Sequence, residues 1–439
     1  MSSALDRRSL IQGGLASTLL GVTGSLNPMN WLKNSPRPNI LLIMADDLGV
    51  ECLRSYGGID YKTPVLNALA SEGTQWNNCF STPLCTPSRV QILTGRYPFR
   101  TGWKRLIDKT NWPIEKQCLN PHAETTFGNL LRDAGYRTGI AGKWQLCHFA
   151  NYPRHAKVCG FDEHLLWFWK EPVKNIKRTN RYWDPVMWRN GKKFVPRQGK
   201  YGPDLFTNWL IRFMRRNQNG PFLAYYPMVL PHAPFRPTPL DRDRRSKPGK
   251  HHFASMMEYM DTLVGKLINA LEEMGLRENT LVLFTSDNGT DKKIRSRQNG
   301  VYVRGGKQNM TGRSCNVPLI ANQPGVVPAG RTLDDLVDLS DFLPTLVDLA
   351  GAKLPESVTI DGRSFAPRIL GQSQLERDWI YIERGNERTI MDKRYKLNGD
   401  GSFYDIKRDP YEQSPLGSDA DAQALLAKAR LKWSLSQLK

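Results

Sequence analysis

Residues able to do chemistry gather at a few positions of this 439-residue chain. The run Cys85-Thr86-Pro87-Ser88-Arg89 sets a thiol four places before a guanidinium. With seven cysteines, 29 prolines and 62 basic residues, a shuffled chain yields Cys-x-Pro-x-basic only about 0.07 times. Pro87 suits the first turn of a helix continuing through Val90, Gln91, Ile92 and Leu93. Cys85 then sits at the helix amino end and Arg89 one turn on, along the same side. An anion placed there meets the helix dipole and the guanidinium together. Asp46-Asp47 and Asp287-Asn288 offer oxygen ligands alone, which selects a hard cation, calcium or magnesium, over zinc. Only seven histidines occur and none adjoins these carboxylates, so a two-zinc site is hard to build.

The elements that must carry these residues alternate between short apolar runs and helix-period segments. That rhythm predicts an α/β fold, a sheet sandwiched by helices. Strands are expected at Ile40 to Met44, Thr138 to Ala141, Phe222 to Tyr226 and Leu281 to Thr285. The first ends in Asp46-Asp47, the second in Lys143 and the last in Asp287-Asn288, while the third leads to Pro231-His232. Ligands of open α/β sheets collect at the carboxyl ends of strands, so these residues are expected to share one crevice. A helix capped by Thr63 begins at Pro64 and stops near Gly73, and a longer one runs from Phe253 to Met274 with a Met and Leu stripe toward the core.

Composition bounds the rest. Hydrophobic residues at 40% and charged residues at 24% fit a folded chain. The net charge of +20 favours anionic partners, but without a zinc finger, RNP-like or basic-helix pattern nucleic acid is not indicated. The cysteines match no metal-knuckle spacing. Apart from Cys85 they are expected as small buried side chains, with up to three disulfides as the alternative. Residues 1–37 read as a targeting segment, with a disordered tail as the alternative, because Arg7 and Arg8 precede a mildly apolar stretch ending near Val22, too short to span a bilayer. Residues 38–355 read as the catalytic unit. Short strands at Tyr381 to Glu383 and Tyr395 to Leu397 and a helix from Ala420 place a smaller unit at 356–439. Trp167, Trp169, Trp183 and Trp188 mark an insertion that either faces carbohydrate or packs on itself.

Cys-x-Pro-x-Arg followed by Leu93-Thr94-Gly95-Arg96 resembles the signature of the type I sulfatases. Asn39 to Gly49, Gly139 to Leu146, Pro231 to Phe235, Phe284 to Gly289, Pro318 to Gly325 and Tyr404 to Glu412 are similar to further blocks of that family. The resemblance implies an alkaline-phosphatase-like mixed sheet between helices with a small C-terminal α+β domain. It implies that Cys85 is oxidised to formylglycine (3-oxoalanine) by a formylglycine-generating or sulfatase-maturing enzyme. One hydroxyl of the hydrated aldehyde attacks sulfur, and the other expels sulfate once the alcohol has left. Asp46, Asp47, Asp287, Asn288 and the modified Cys85 are then expected to hold one divalent cation, calcium in preference to magnesium. Arg89, Lys143 and Lys307 neutralise the sulfate oxygens, and His232 assists the leaving group. The amino end resembles a twin-arginine export signal, which implies a periplasmic or extracellular protein.

The chain departs from the family in places. Gln145 stands where an imidazole is usual after Gly142-Lys143-Trp144, and a glutamine cannot take a proton. Gly312 and Asn316 replace acidic and basic or imidazole residues. The expected activity is hydrolysis of the sulfate ester of a sulfated carbohydrate or an aryl sulfate. A phosphodiesterase or phosphonate hydrolase of the same superfamily is a second reading, and a catalytically silent polyanion-binding protein a third.

Overall fold

A computed structural model describes residues 37–107, 118–167, 180–374 and 377–438. The expected targeting segment, apart from Arg37, and Trp169 lie outside these residues. The central sheet has ten strands: β1 (Asn39–Ala45), β2 (Thr74–Phe80), β3 (Arg137–Lys143), β4 (Glu163–Trp167), β5 (Met187–Arg189), β6 (Lys192–Phe194), β7 (Phe222–Pro227), β8 (Thr280–Ser286), β11 (Asn316–Asn322) and β12 (Arg331–Asp338). β9 (Arg295–Gln298) and β10 (Val301–Arg304) form a separate hairpin. The order across the sheet is β12-β2-β11-β8-β1-β7-β3-β4-β5-β6. Its heart, β8-β1-β7-β3, is parallel, and these are the four strands read from the sequence. β11 runs antiparallel to both of its neighbours, which makes the sheet mixed.

Burial on both faces explains why β1 is an unbroken apolar run after Asn39. Ile40, Leu42 and Met44 point into one core, whereas Leu41, Ile43 and Ala45 point into the other. The helix Phe253–Glu273 lays Met256, Met260, Leu263, Val264 and Leu267 into that second core. One expectation fails locally. Thr63 makes no side-chain cap; Asp261, reaching from the long helix, accepts from the amides of Val65 (3.0 Å) and Leu66 (2.9 Å) and caps the helix Pro64–Ser71. A neighbouring helix can supply the acceptor as well as the chain itself.

Toward the carboxyl end, β13 (Ile380–Arg384), β14 (Glu387–Met391), β15 (Tyr395–Asn398) and β16 (Phe403–Asp405) form an antiparallel sheet under the helix Ala422–Gln437. Ile390, Leu397, Phe403 and Leu431 fill its core. Lys396 ties it to the segment after β10, its Nζ donating to Met310 O at 2.6 Å and also pairing with Glu412. Among the described residues, no helix is long and apolar enough to cross a membrane. Cys118 and Cys147 form one disulfide, whereas Cys52, Cys79, Cys159 and Cys315 are buried thiols. Trp167 is buried, Trp188 packs on Phe149 at 5.9 Å and Trp183 on Tyr201 at 4.8 Å, so this aromatic insertion packs on the protein itself.

Candidate active site

Adjacent parallel strands bring the chemistry together. Asp46 and Asp47 follow β1, Asp287 and Asn288 follow β8, and Lys143 is the last residue of β3. Backbone bonds lock the tips: Asp287 N donates to Ala45 O at 3.1 Å, Leu48 N to Asn288 O at 3.0 Å and Asp46 N to Leu230 O at 2.9 Å. The last bond ties β1 to the loop carrying His232, where the peptides before Pro231 and Pro234 are cis. Cys85 is the first residue of the wholly buried helix Cys85–Thr94. Lys307 arrives from the segment after β10.

The carboxylates and cations interlock. Arg89 clasps Asp287 Oδ2 through Nη2 (2.7 Å) and Nε (3.1 Å), and Nη2 also lies 3.6 Å from Asp46. Lys143 Nζ donates to Asp46 Oδ1 at 2.7 Å. Lys307 Nζ lies 2.7 Å from Asp47 Oδ2 and donates at 2.9 Å to His232 Nε2. The other ring nitrogen, Nδ1, faces Ala233 O, so His232 is held as the Nδ1–H tautomer. Ligand atoms of Asp46, Cys85 and Asp287 all lie within 4.8 Å of one another, as do those of Asp46, Asp47 and His232. Two ligands across one calcium ion stand about 4.6–5.2 Å apart, so the first trio can share an ion.

Asn288 gives a second sign of an ion. Its Nδ2 donates to Asp47 Oδ1 (2.8 Å) and Gly289 O (2.9 Å), but the buried Oδ1 has no partner. A buried acceptor left bare is costly, and a cation bound between the strand tips satisfies it. Three carboxylates and an amide oxygen therefore fit a hard divalent cation.

Charge sets the protonation states. Burial drives the Asp46 carboxyl upward, yet Lys143, Arg181 and Arg89 outweigh it and hold Asp46 well below the usual carboxylate range. Burial raises Asp47, with Lys307 opposing, and burial with the charge of Asp46 raises Asp287 to about 6. His232 is pushed well below the ordinary imidazole value, first by burial and then by Arg181 and Lys307. Lys307 rises despite burial because Asp47 and Cys85 favour its charge. His232 is thus neutral and accepts a proton's hydrogen bond from a cationic lysine.

Two features escaped sequence reasoning or stayed partial there. Arg181 Nη1 donates to Asp46 Oδ2 at 2.7 Å while its guanidinium lies 4.7 Å over the Trp167 ring. Nothing local marked Arg181 among many basic neighbours. The hydroxyl of the adjacent Tyr182 fastens this segment to the site, shared between Val229 O at 2.9 Å and His232 O. Gln145 is buried with a left-handed backbone (φ 55°) and an unpartnered Oε1. Asp47 (φ 71°) and Gln308 (φ 74°), beside Lys307, share that uncommon conformation, which clusters strain around the site.

Comparison with known proteins identifies the family. The chain matches the family described as Sulfatase over residues 38–352, and the one described as N-sulphoglucosamine sulphohydrolase, C-terminal, over 302–439. It is 30% identical to Arylsulfatase D of Homo sapiens, covering 88% of this chain and 77% of that protein. To N-acetylgalactosamine-6-sulfatase of Canis lupus familiaris it is 32% identical, covering 88% and 74%. The solved structure of Ps i-CgsB in complex with k-i-k-neocarrahexaose superposes with a TM-score of 0.76 at 26% identity, covering 91% of this chain and 93% of that one. With strand-tip carboxylates, a buried cysteine at a helix start and a ring of cations, the chain belongs to the sulfatase family and is a sulfuric ester hydrolase.

Proposed function

We propose that this protein removes sulfate from a sulfated carbohydrate, using formylglycine made from Cys85 and one bound calcium ion. The observation that carries the proposal is the meeting of the Cys85 sulfur with Asp46 and Asp287 within 4.8 Å, inside a cage of buried cations. Asp46, Asp47, Asp287, Asn288 and residue 85 would hold the cation. Calcium suits the site better than magnesium because the chain supplies four oxygen-bearing side chains, whereas magnesium usually keeps several waters. When bound, the cation and the hydrated aldehyde supply a nucleophilic hydroxyl at neutral pH and a second hydroxyl for releasing sulfate.

The chain's own residues do the rest. Arg89 and Lys143 fix donors where charge builds on the sulfate oxygens, and low exposure strengthens both. Lys307, held in place by its bond to His232 Nε2, would give a proton to the departing alcohol oxygen and be left as the neutral amine. Gln145 orients a hydroxyl without taking its proton. The carbohydrate assignment is supported by relatives whose names specify sulfated sugars and by the oligosaccharide bound to Ps i-CgsB. Residues 1–37 are read as an export signal, which places the enzyme in the periplasm or outside the cell, after a maturing enzyme has oxidised Cys85.

Mass spectrometry of the peptide holding Cys85, after expression with a maturation system, tests the reading. A loss of about 18 Da marks the aldehyde. An intact thiol together with no release of sulfate from any ester would reject it. Parallel assays with an aryl sulfate and an aryl phosphodiester are expected to favour the sulfate.

A further inference from the structure

Asn288 and Lys307, two residues of the site, stand at the two ends of one hairpin. β9 and β10 pair antiparallel, with Arg304 opposite Arg295 and Val303 opposite Ser296, and Asn299 and Gly300 turn the chain between them (φ 49° and 81°). Opposed residues of a ladder share a face, so Ser296 and Val303 occupy one side while Arg295, Arg297, Tyr302 and Arg304 occupy the other. The first side packs on the protein, Ser296 and Val303 each being 1% exposed. All four residues of the second side are exposed. The ribbon is anchored where it leaves the site: Lys307 N donates to Thr290 O and Gly305 N to Ile294 O, both at 3.0 Å. Along one edge Ile59 N donates to Arg297 O at 3.0 Å and Asn299 N to Gly57 O at 2.9 Å. Three residues of chain separate Arg304 from Lys307, a Cα span of about 11 Å at most.

Arg295 and Arg304 are like charges directly opposite each other, an arrangement that weakens a ladder. Neither pairs with a carboxylate among the described residues, whereas Arg297 on the same face pairs with Asp60 at 2.7 Å. Both are nevertheless held. Arg304 Nε donates to Lys292 O at 2.9 Å, and the Arg295 guanidinium lies 5.9 Å from the centre of the Tyr302 ring. The Nη groups of both arginines make no hydrogen bond among the described residues, so they stand as donors toward solvent. From Asp291 to Arg304 the cations Lys292, Lys293, Arg295, Arg297 and Arg304 face one carboxylate, Asp291, and Asp60 offsets Arg297 alone. Two opposed guanidinium groups, already oriented, suit an oxyanion between them, because it turns their repulsion into charge-assisted hydrogen bonds.

We infer that Arg295 and Arg304 clasp a second anionic group, a sulfate or carboxylate elsewhere on the saccharide chain whose ester is cut, so that the substrate is a polyanionic oligosaccharide. This inference rests on the carbohydrate-sulfatase reading, and the test keeps the two apart. Binding is measured by titration calorimetry on the full chain with Cys85 left as the thiol. The probes are a heparin hexasaccharide and a carrageenan hexasaccharide, both polysulfated, with maltohexaose as the uncharged control. Kd for a polysulfated probe is expected to rise about tenfold in Arg295→Ala and in Arg304→Ala, with a shallower dependence on salt. Lys432→Ala, which removes an equal charge from the helix Ala422–Gln437, is expected to change Kd less than twofold. Tm is expected not to fall in Arg295→Ala, since a like-charge contact is relieved. Unchanged Kd in both arginine variants, an equal loss in Lys432→Ala, or no binding of either polysulfated probe by the wild type overturns the clasp. So does capture of a single-stranded RNA or of phosphatidylserine vesicles through these arginines where neither hexasaccharide binds. The matured variants are expected to hydrolyse an aryl sulfate as the wild type does; release of no sulfate from any ester by the matured wild type counts instead against the sulfatase reading.

Discussion

Asp46 is the side chain on which the charges of the site converge, with Lys143 on one oxygen, Arg181 on the other and Arg89 close by. Removing one member of a buried ion pair strands its partner, which costs about 3–5 kcal/mol. Arg89→Ala, which leaves Asp287 without its two-pronged donor, should therefore lower stability by about that amount in denaturant titration and abolish turnover. Arg89→Lys restores the charge but not the fork, and is expected to recover folding more than rate. Arg181 acts on Asp46 from the outer side. Arg181→Met should lower kcat/KM about 10- to 100-fold while circular dichroism stays unchanged; wild-type kinetics in that variant would deny Arg181 any part in the site. Arg89 was legible in the sequence because its spacing from Cys85 is local, whereas Arg181 acts across 135 residues of chain.

At the scale of elements, helix starts are held from a distance. Asp261 caps the helix Pro64–Ser71 across 195 residues or more, so Asp261→Ala should cost about 1–2 kcal/mol and lower Tm by about 1–2 °C in calorimetry. Thr63→Ala, by contrast, should change little. The short helix His155–Val158 carries a second prediction. His155 accepts from Trp144 Nε1 on Nδ1 (3.1 Å) and donates from Nε2 to Leu119 O (2.7 Å), so it is neutral, and burial pushes it down to about 4. The unfolded chain takes up this proton near pH 6.5 and the folded chain only near 4, so stability falls as pH drops through that window and is flat above it. His155→Gln should flatten that part of the pH–Tm curve relative to wild type. A curve of equal slope would show that His155 is protonated in the folded state.

For the whole molecule, a charge of +20 should draw polyanionic substrates by long-range attraction that salt screens. Raising ionic strength from about 10 to 300 mM should therefore lower kcat/KM for a multiply sulfated oligosaccharide several-fold and leave a singly charged aryl sulfate nearly unaffected. Chelation is expected to remove turnover and lower Tm together, because the cation would offset three carboxylates buried at the strand tips. Calcium should restore both more fully than magnesium.

The sequence by itself determined the four central strands, the helix that begins at Cys85 and the residues at the strand tips. Each rests on short-range pattern, whether an apolar run, a turn residue at its end or a fixed spacing of a few positions. Tertiary structure alone decided that Lys307 reaches Asp47 and His232, that Arg181 joins Asp46, and that Asp261 rather than Thr63 caps its helix. These contacts join segments tens to hundreds of residues apart, and what selects them is the order of strands in the sheet and the burial of charge between them, neither of which any local stretch of residues records.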